Sequence, residues 1–170
     1  MRREQALLVG NGALALCFGL IAGYGFLFNL IGEISLWPIP GAIAAQLPGD
    51  PARWRGAHVG AITNGLMAIA VGLALPLAPM PDRTRRLVAW AIVVAVWGNI
   101  VFYVANALGA ANHGLTFGDN RLGAADVLSR LGFFGAYAGA LVAPVALLVL
   151  ARAAFAAARA ESSGDARAGA

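Results

Sequence analysis

Four stretches of this 170-residue chain carry no formal charge over lengths that cross a bilayer: Gln5–Gly32, Gly56–Pro81, Leu87–Gly118 and Leu131–Ala151. A helix needs about 20 apolar residues to span the hydrocarbon core. Within lipid every backbone N–H and C=O must be satisfied by the segment itself or by a closed barrel. The runs are too long and too continuous for barrel strands. The expected fold is all-α: an integral membrane bundle of four transmembrane helices, near 6–31, 54–78, 86–109 and 126–158. Residues 1–160 form one domain, and the small, polar residues 161–170 are expected to be a flexible C-terminal tail.

Composition supports this. Apolar residues make up 60% of the chain and charged residues 12%, about half the charge of a soluble domain. Such a chain can neither clothe a soluble globule nor stay disordered. Cys17 is the only cysteine, so no disulfide framework exists. The net charge of +4 rests entirely on arginine. The arginines sit at the ends of the apolar runs rather than on one patch, which argues against a nucleic-acid partner.

The first run, with Arg2 and Arg3 before it, superficially resembles a secretion signal. It is about twice the usual apolar length of one, so it is read as a retained helix. With four spans, both termini and the Met80–Arg86 turn share one side of the membrane. That side holds eight arginines and the other holds Arg53, Arg55, Arg121 and Arg130. The bias places both termini in the cytoplasm.

The loops differ in character. Pro79 and Pro81 stop the second helix at a tight turn. Glu33–Pro51 carries four prolines and no charge between Glu33 and Asp50, which suits the membrane interface, with Trp37 and Trp54 as anchors. Asn112–Gly123 is a glycine-punctuated polar loop. Gly19/Gly23, Gly56/Gly60 and Gly135/Gly139 are each four residues apart, on one helical face, and mark close helix approach within the chain or between copies.

Polar side chains inside the spans are costly and must face the bundle interior or a site. Helix one carries Asn11, Tyr24 and Asn29. Helix two carries His58, Thr63 and Asn64. Helix three carries Asn99, Tyr103 and Asn106. Helix four begins with Asp126, Ser129 and Arg130 and holds Tyr137. Depth from the helix ends puts His58, Asn64, Asn99 and Tyr103 in the same half of the bilayer, where they are expected to converge. Asp126 is a helix cap or a partner of Arg130 four residues on.

Two histidines without nearby cysteine cannot build a zinc site, which needs three or four ligands. No serine stands beside His58 for a catalytic triad. A lone neutral imidazole in an apolar setting suits haem, where one proximal histidine holds iron and leaves the other face open. The plain alternative is a histidine hydrogen-bonded to a neighbouring helix. A third arrangement, with haem between His58 and His113, would serve a small electron-transfer subunit, although His113 lies in the polar loop.

The chain resembles the styrene oxide isomerase family along nearly its whole length. The segments that carry the likeness are Trp54-Arg55-Gly56-Ala57-His58-Val59-Gly60, Asn64-Gly65-Leu66-Met67, Trp97-Gly98-Asn99 with Phe102-Tyr103, and Gly114-Leu115-Thr116-Phe117-Gly118. Asn120, Gly123 and Asp126 follow. The resemblance implies a homotrimeric membrane enzyme with haem b. Its reaction would be the Meinwald rearrangement of an aryl epoxide to an aldehyde, styrene oxide to phenylacetaldehyde, with ferric haem as Lewis acid. It implies His58 as axial ligand of the iron, and Asn64 and Tyr103 as the residues that hold the epoxide. Asn99 would then support Tyr103 or serve structure alone, and Arg53 and Arg55 would meet the haem propionates or lie at the interface. Where the family carries an acidic residue shortly before the tryptophan matching Trp97, this chain has Ala95-Val96. His113 is not part of the family pattern.

Overall fold

The computed structural model describes the backbone of residues 1–168 and the side chains of residues 1–160. Four long helices dominate: α1 (Arg3–Ile31), α2 (Pro51–Ala74, continued by a 3-10 turn to Leu77), α3 (Asp82–Ala107) and α4 (Val127–Ala168). All four are long and apolar enough to cross a membrane, so the all-α membrane bundle stands. The helical backbone of α4 reaches past the expected 158. The side chains of the expected tail, 161–170, lie outside the described residues.

Helix ends follow local chemistry. Asp50 caps α2 by accepting from the Arg53 backbone N–H at 3.1 Å, with Pro51 at the first helical position. Gly32 closes α1 in the left-handed conformation (φ 73°), its N–H donating to Phe28 O. Asp126 accepts from the Ser129 N–H at 2.6 Å and starts α4. Hydrogen bonding to Ser129, through its side chain first and its backbone N–H second, holds the Asp126 carboxyl below its ordinary pKa. The cap is therefore intact at neutral pH and weakens only as acid protonates it. Of the two readings of Asp126, capping is the one observed. Arg130 instead lies over the Phe117 ring, 5.5 Å from its centroid.

The helices pair as antiparallel hairpins, α1 on α2 and α3 on α4, joined where α2 meets α3. Glycines set the close approaches. A Cβ on Gly12 would stand 2.7 Å from Gly65 O, and one on Gly65 the same distance from Gly12 O. Gly98 and Gly135 face each other in the same way between α3 and α4. Gly19, Gly23, Gly60, Gly135 and Gly139 thus serve packing within the chain, whereas Gly56 meets nothing within 4 Å. Leu8, Leu75, Ile92 and Val96 fill the core between α1, α2 and α3. The outer faces of α1 and α4 expose leucine, isoleucine, valine and phenylalanine. In water such faces would aggregate, and in lipid they need no cover.

The Glu33–Pro51 segment is more ordered than its prolines suggest. Glu33–Ile34 pairs antiparallel with Ile43–Ala44. Asn29 donates to Leu47 O (3.1 Å), and the Trp54 indole donates to Pro48 O (2.8 Å). The 108–126 loop closes around Asn112, which is fully buried. Its amide donates to Thr116 O (3.0 Å) and Gly118 O (2.8 Å), while its oxygen accepts from the Gly114 N–H (2.9 Å).

Candidate functional site

The polar residues of the spans separate into two sites on different faces of α2.

The first is a relay between α2 and α3. Asn99 Nδ2 donates to Asn64 Oδ1 at 2.8 Å. Asn64 Nδ2 donates to Gly60 O at 2.8 Å and to the Tyr103 hydroxyl oxygen at 3.3 Å. The Tyr103 ring packs over Gly60, where a Cβ would stand 2.3 Å from its Cζ. Only glycine at 60 admits the phenol. Both Asn64 N–H groups are occupied, and its oxygen is fixed by Asn99. Asn64 is therefore built to position Tyr103. Because Tyr103 accepts from Asn64, its own O–H remains available to donate elsewhere. Burying three polar side chains in a membrane bundle is tolerable because they satisfy one another.

Tyr103 opens on a cavity of about 330 Å³ at one end of the bundle, lined also by Arg53, Phe102, Asn106, His113 and Leu115. That volume lies in the range of small-molecule sites. Arg53 closes its rim. The guanidinium pairs with Asp50 (Nε–Oδ2 3.0 Å), donates to Ala110 O (2.9 Å), and donates to His113 Nε2 (2.8 Å). His113 is an acceptor there, so it is neutral with its proton on Nδ1. Its backbone is left-handed, φ 62°, which costs a non-glycine residue about 1 kcal/mol. The turn at His113–Gly114 aims the ring back at Arg53, and Asn106 Nδ2 fastens it by donating to His113 O at 3.0 Å. Nothing in the sequence separated His113 from any other loop histidine; only the left-handed turn places it here. Its Nε2 is spent on Arg53, which removes it as a ready partner for His58 on one haem.

The second site is His58, which turns to α1. Its Nδ1 lies 2.8 Å from Gly19 O, so Nδ1–H donates and Nε2 is the ring nitrogen left without a role in that bond. Gly19 and Gly23 form the cradle: a Cβ on Gly23 would stand 2.8 Å from His58 Nδ1 and 3.0 Å from Cε1. Nε2 has no protein partner among the described residues, and the side chain is only half-buried. A carbonyl fixing one ring nitrogen while the other stays free is the usual support of a metal-ligating imidazole. Among the described residues no three histidine, cysteine or acidic side chains gather to hold a bare metal ion. The donor set fits a group that brings its own equatorial ligands and needs one axial nitrogen, as haem does. The cradle makes a prediction. Gly23→Ala should tilt the ring off Gly19 O, and any group held through Nε2 should be retained about 10–100-fold less well by the purified protein.

The expected convergence of four residues is thus corrected. Asn64, Asn99 and Tyr103 meet; His58 shares their depth but not their face. At about 100° per residue, His58 lies about 120° around α2 from Asn64 and about 160° from Gly60, under Tyr103. In one chain His58 looks toward α1 and Tyr103 belongs to the α3 side. Three of the other span polars are occupied by bonds within the bundle. Asn11 Oδ1 accepts from the Trp97 indole at 2.8 Å, tying α1 to α3. Thr63 bonds back to Val59 O, and Ser129 Oγ accepts from the Asn112 N–H. Ala95 and Val96 are fully buried, with Ala95 against Gly139 of α4, so no polar relay enters from that side. Arg55 is exposed.

Comparison with known proteins bears on what these two sites do. Residues 4–155 match the family described as Styrene oxide isomerase. The chain is also similar to a Styrene-oxide isomerase of Pseudomonas fluorescens, 35% identical over 144 residues, which cover 84% of this chain and 83% of that protein.

Proposed function

Since the chain belongs to the styrene oxide isomerase family and is an isomerase, we propose that it rearranges aryl epoxides, styrene oxide to phenylacetaldehyde, in a site completed by haem b. The observation that carries this reading is the division of labour around α2. His58 presents a free Nε2 on one face, and the Asn99–Asn64–Tyr103 relay presents a hydroxyl on another.

His58 would hold the haem iron through Nε2. Bound ferric haem would supply a Lewis acid for the epoxide oxygen. The chain's own residues do the rest. Gly19 O fixes the His58 tautomer and keeps the imidazole basic. Tyr103 donates its O–H to the epoxide oxygen as negative charge builds there, and Asn64 holds the phenol in place for it. The benzylic C–O bond breaks, and the aryl ring carries the positive charge. Hydride moves from the terminal carbon to the benzylic carbon, and the oxygen left on the terminal carbon becomes the aldehyde carbonyl. Atoms and electrons balance within the substrate, with no reductant. Water would capture the cation as a diol, so the apolar lining by Phe102 and Leu115 protects the outcome.

The two faces of α2 meet across one substrate when a second copy brings its relay against the first copy's His58. This is the physical case for a homo-oligomer, a trimer by the family resemblance. Arg53 is already held by three partners, so the proposed propionate role falls less to it than to exposed Arg55. The proposed location is the bacterial inner membrane, and the arginine bias favours both termini cytoplasmic.

The test is aldehyde formation from styrene oxide by membranes holding the chain, without NAD(P)H. Phenylacetaldehyde at steady rate, with the haem spectrum ferric throughout, is expected. A haem that cycles between oxidation states without product would identify an electron-transfer subunit instead.

A further inference from the structure

The opposite end of the bundle holds a second built site. Arg86 and Tyr103 are 17 residues apart on α3, roughly 26 Å along the helix, so this site is remote from the relay.

Helices α1 and α3 begin there side by side, and neither has a side-chain N-cap. Their unpaired N–H groups and positive dipole ends point the same way. A cavity of about 460 Å³ lies between them, walled by Arg2, Arg3, Glu4, Asp82, Arg85 and Arg86. Four guanidinium groups face two carboxylates there, so positive charge is in excess. The acids do not exhaust the donors. Glu4 reaches Arg86 only at 3.8 Å. Arg85 is 8% exposed; it pairs with Asp82 and donates to Met80 O at 3.1 Å, but its Nε–H is buried with no acceptor among the described residues. A buried cationic donor without a partner is costly.

A second cavity, of about 330 Å³, shares Arg3, Glu4 and Arg86 with the first and continues to Leu7 and Trp90. A cationic mouth thus opens onto an apolar floor. Trp90 is exposed.

We infer that this end of the bundle binds an anionic phospholipid. Its phosphate sits among the arginines and the two helix starts, and its acyl chain runs along Leu7 and Trp90. Basic pockets between transmembrane helices recognise such headgroups, and arginine suits the geometry of phosphate oxygens. Free phosphate would leave the apolar floor unused. A zwitterionic lipid would bring its own cation against the arginines.

The test titrates the full chain in detergent with dioleoylphosphatidylglycerol, dioleoylphosphatidylcholine or sodium phosphate, read by native mass spectrometry and thermal unfolding. The phosphatidylglycerol is expected to bind at least about tenfold tighter than the phosphatidylcholine, and millimolar phosphate should not displace it. Arg3→Gln with Arg86→Gln should weaken phosphatidylglycerol about tenfold or more. Both residues are exposed, so the fold should survive, and isomerase activity should be unchanged. Arg121→Gln, at the other membrane face, should have no effect. Equal affinity for the two lipids, an unaffected double variant, an equal loss in Arg121→Gln, or ready displacement by phosphate would each overturn the inference.

Discussion

His58→Ala is expected to give a folded, colourless protein with at most about one thousandth of the wild-type isomerase rate. Among the described residues the side chain makes one hydrogen bond, to Gly19 O, and it occupies a partly exposed position, so the bundle should assemble without it. What is lost, in the proposed site, is the nitrogen that would hold the haem iron. Lewis-acid polarisation is worth several kcal/mol of transition-state stabilisation, and each 1.36 kcal/mol is tenfold in rate. Haem absorbance per protomer and aldehyde formation should fall together. Added imidazole can occupy the space left by the ring and should restore part of both. A structural histidine would not respond in that way. Wild-type activity in the colourless variant would remove His58 from the chemistry.

Tyr103→Phe should show the opposite separation: haem retained, turnover lost. Removing one preorganised donor to a developing oxyanion costs about 10²–10³ in kcat, and KM should change little because the ring and its packing over Gly60 remain. Asn64→Leu should give a similar but smaller loss, because Asn64 acts through Tyr103. Both of its N–H groups are already engaged, and its removal also strands Asn99. The arrangement on α2 adds a consequence. Co-expressed His58→Ala and Tyr103→Phe chains should regain activity that neither has alone, since mixed oligomers can pair an intact His58 with an intact relay from another copy. Failure of mixed oligomers to recover would place both residues in one chain's site.

Much of this was legible in the sequence, for identifiable reasons. Hydropathy located the four spans because lipid leaves little freedom in composition. It placed the helix starts less well. Asp82 and Arg83 belong to α3 and Pro51–Arg53 to α2, because the first turn of a transmembrane helix can lie among headgroups. The relay was readable in part, since depth alone led Asn64, Asn99 and Tyr103 to be expected together. Its wiring was not, since only coordinates show that Asn99 fixes Asn64 and that Asn64 spends both donors. His58 was misplaced because depth was counted and angle was not; the 58-to-64 spacing already put them on different faces. The glycine pairs were visible, but spacing alone does not say that Gly23 cradles an imidazole while Gly56 faces open space. Asn112 and His113 were beyond reach, because a loop asparagine buried at a knot and one in water read alike.

The most direct test of the proposed rearrangement uses styrene oxide carrying two deuterium atoms on its terminal carbon, given to purified protein without oxygen or NAD(P)H. Intramolecular migration predicts phenylacetaldehyde that keeps both, one on the carbonyl carbon and one on the benzylic carbon. A diol, or no turnover by haem-loaded protein, would contradict the account. So would an aldehyde that has exchanged the migrating deuterium with water.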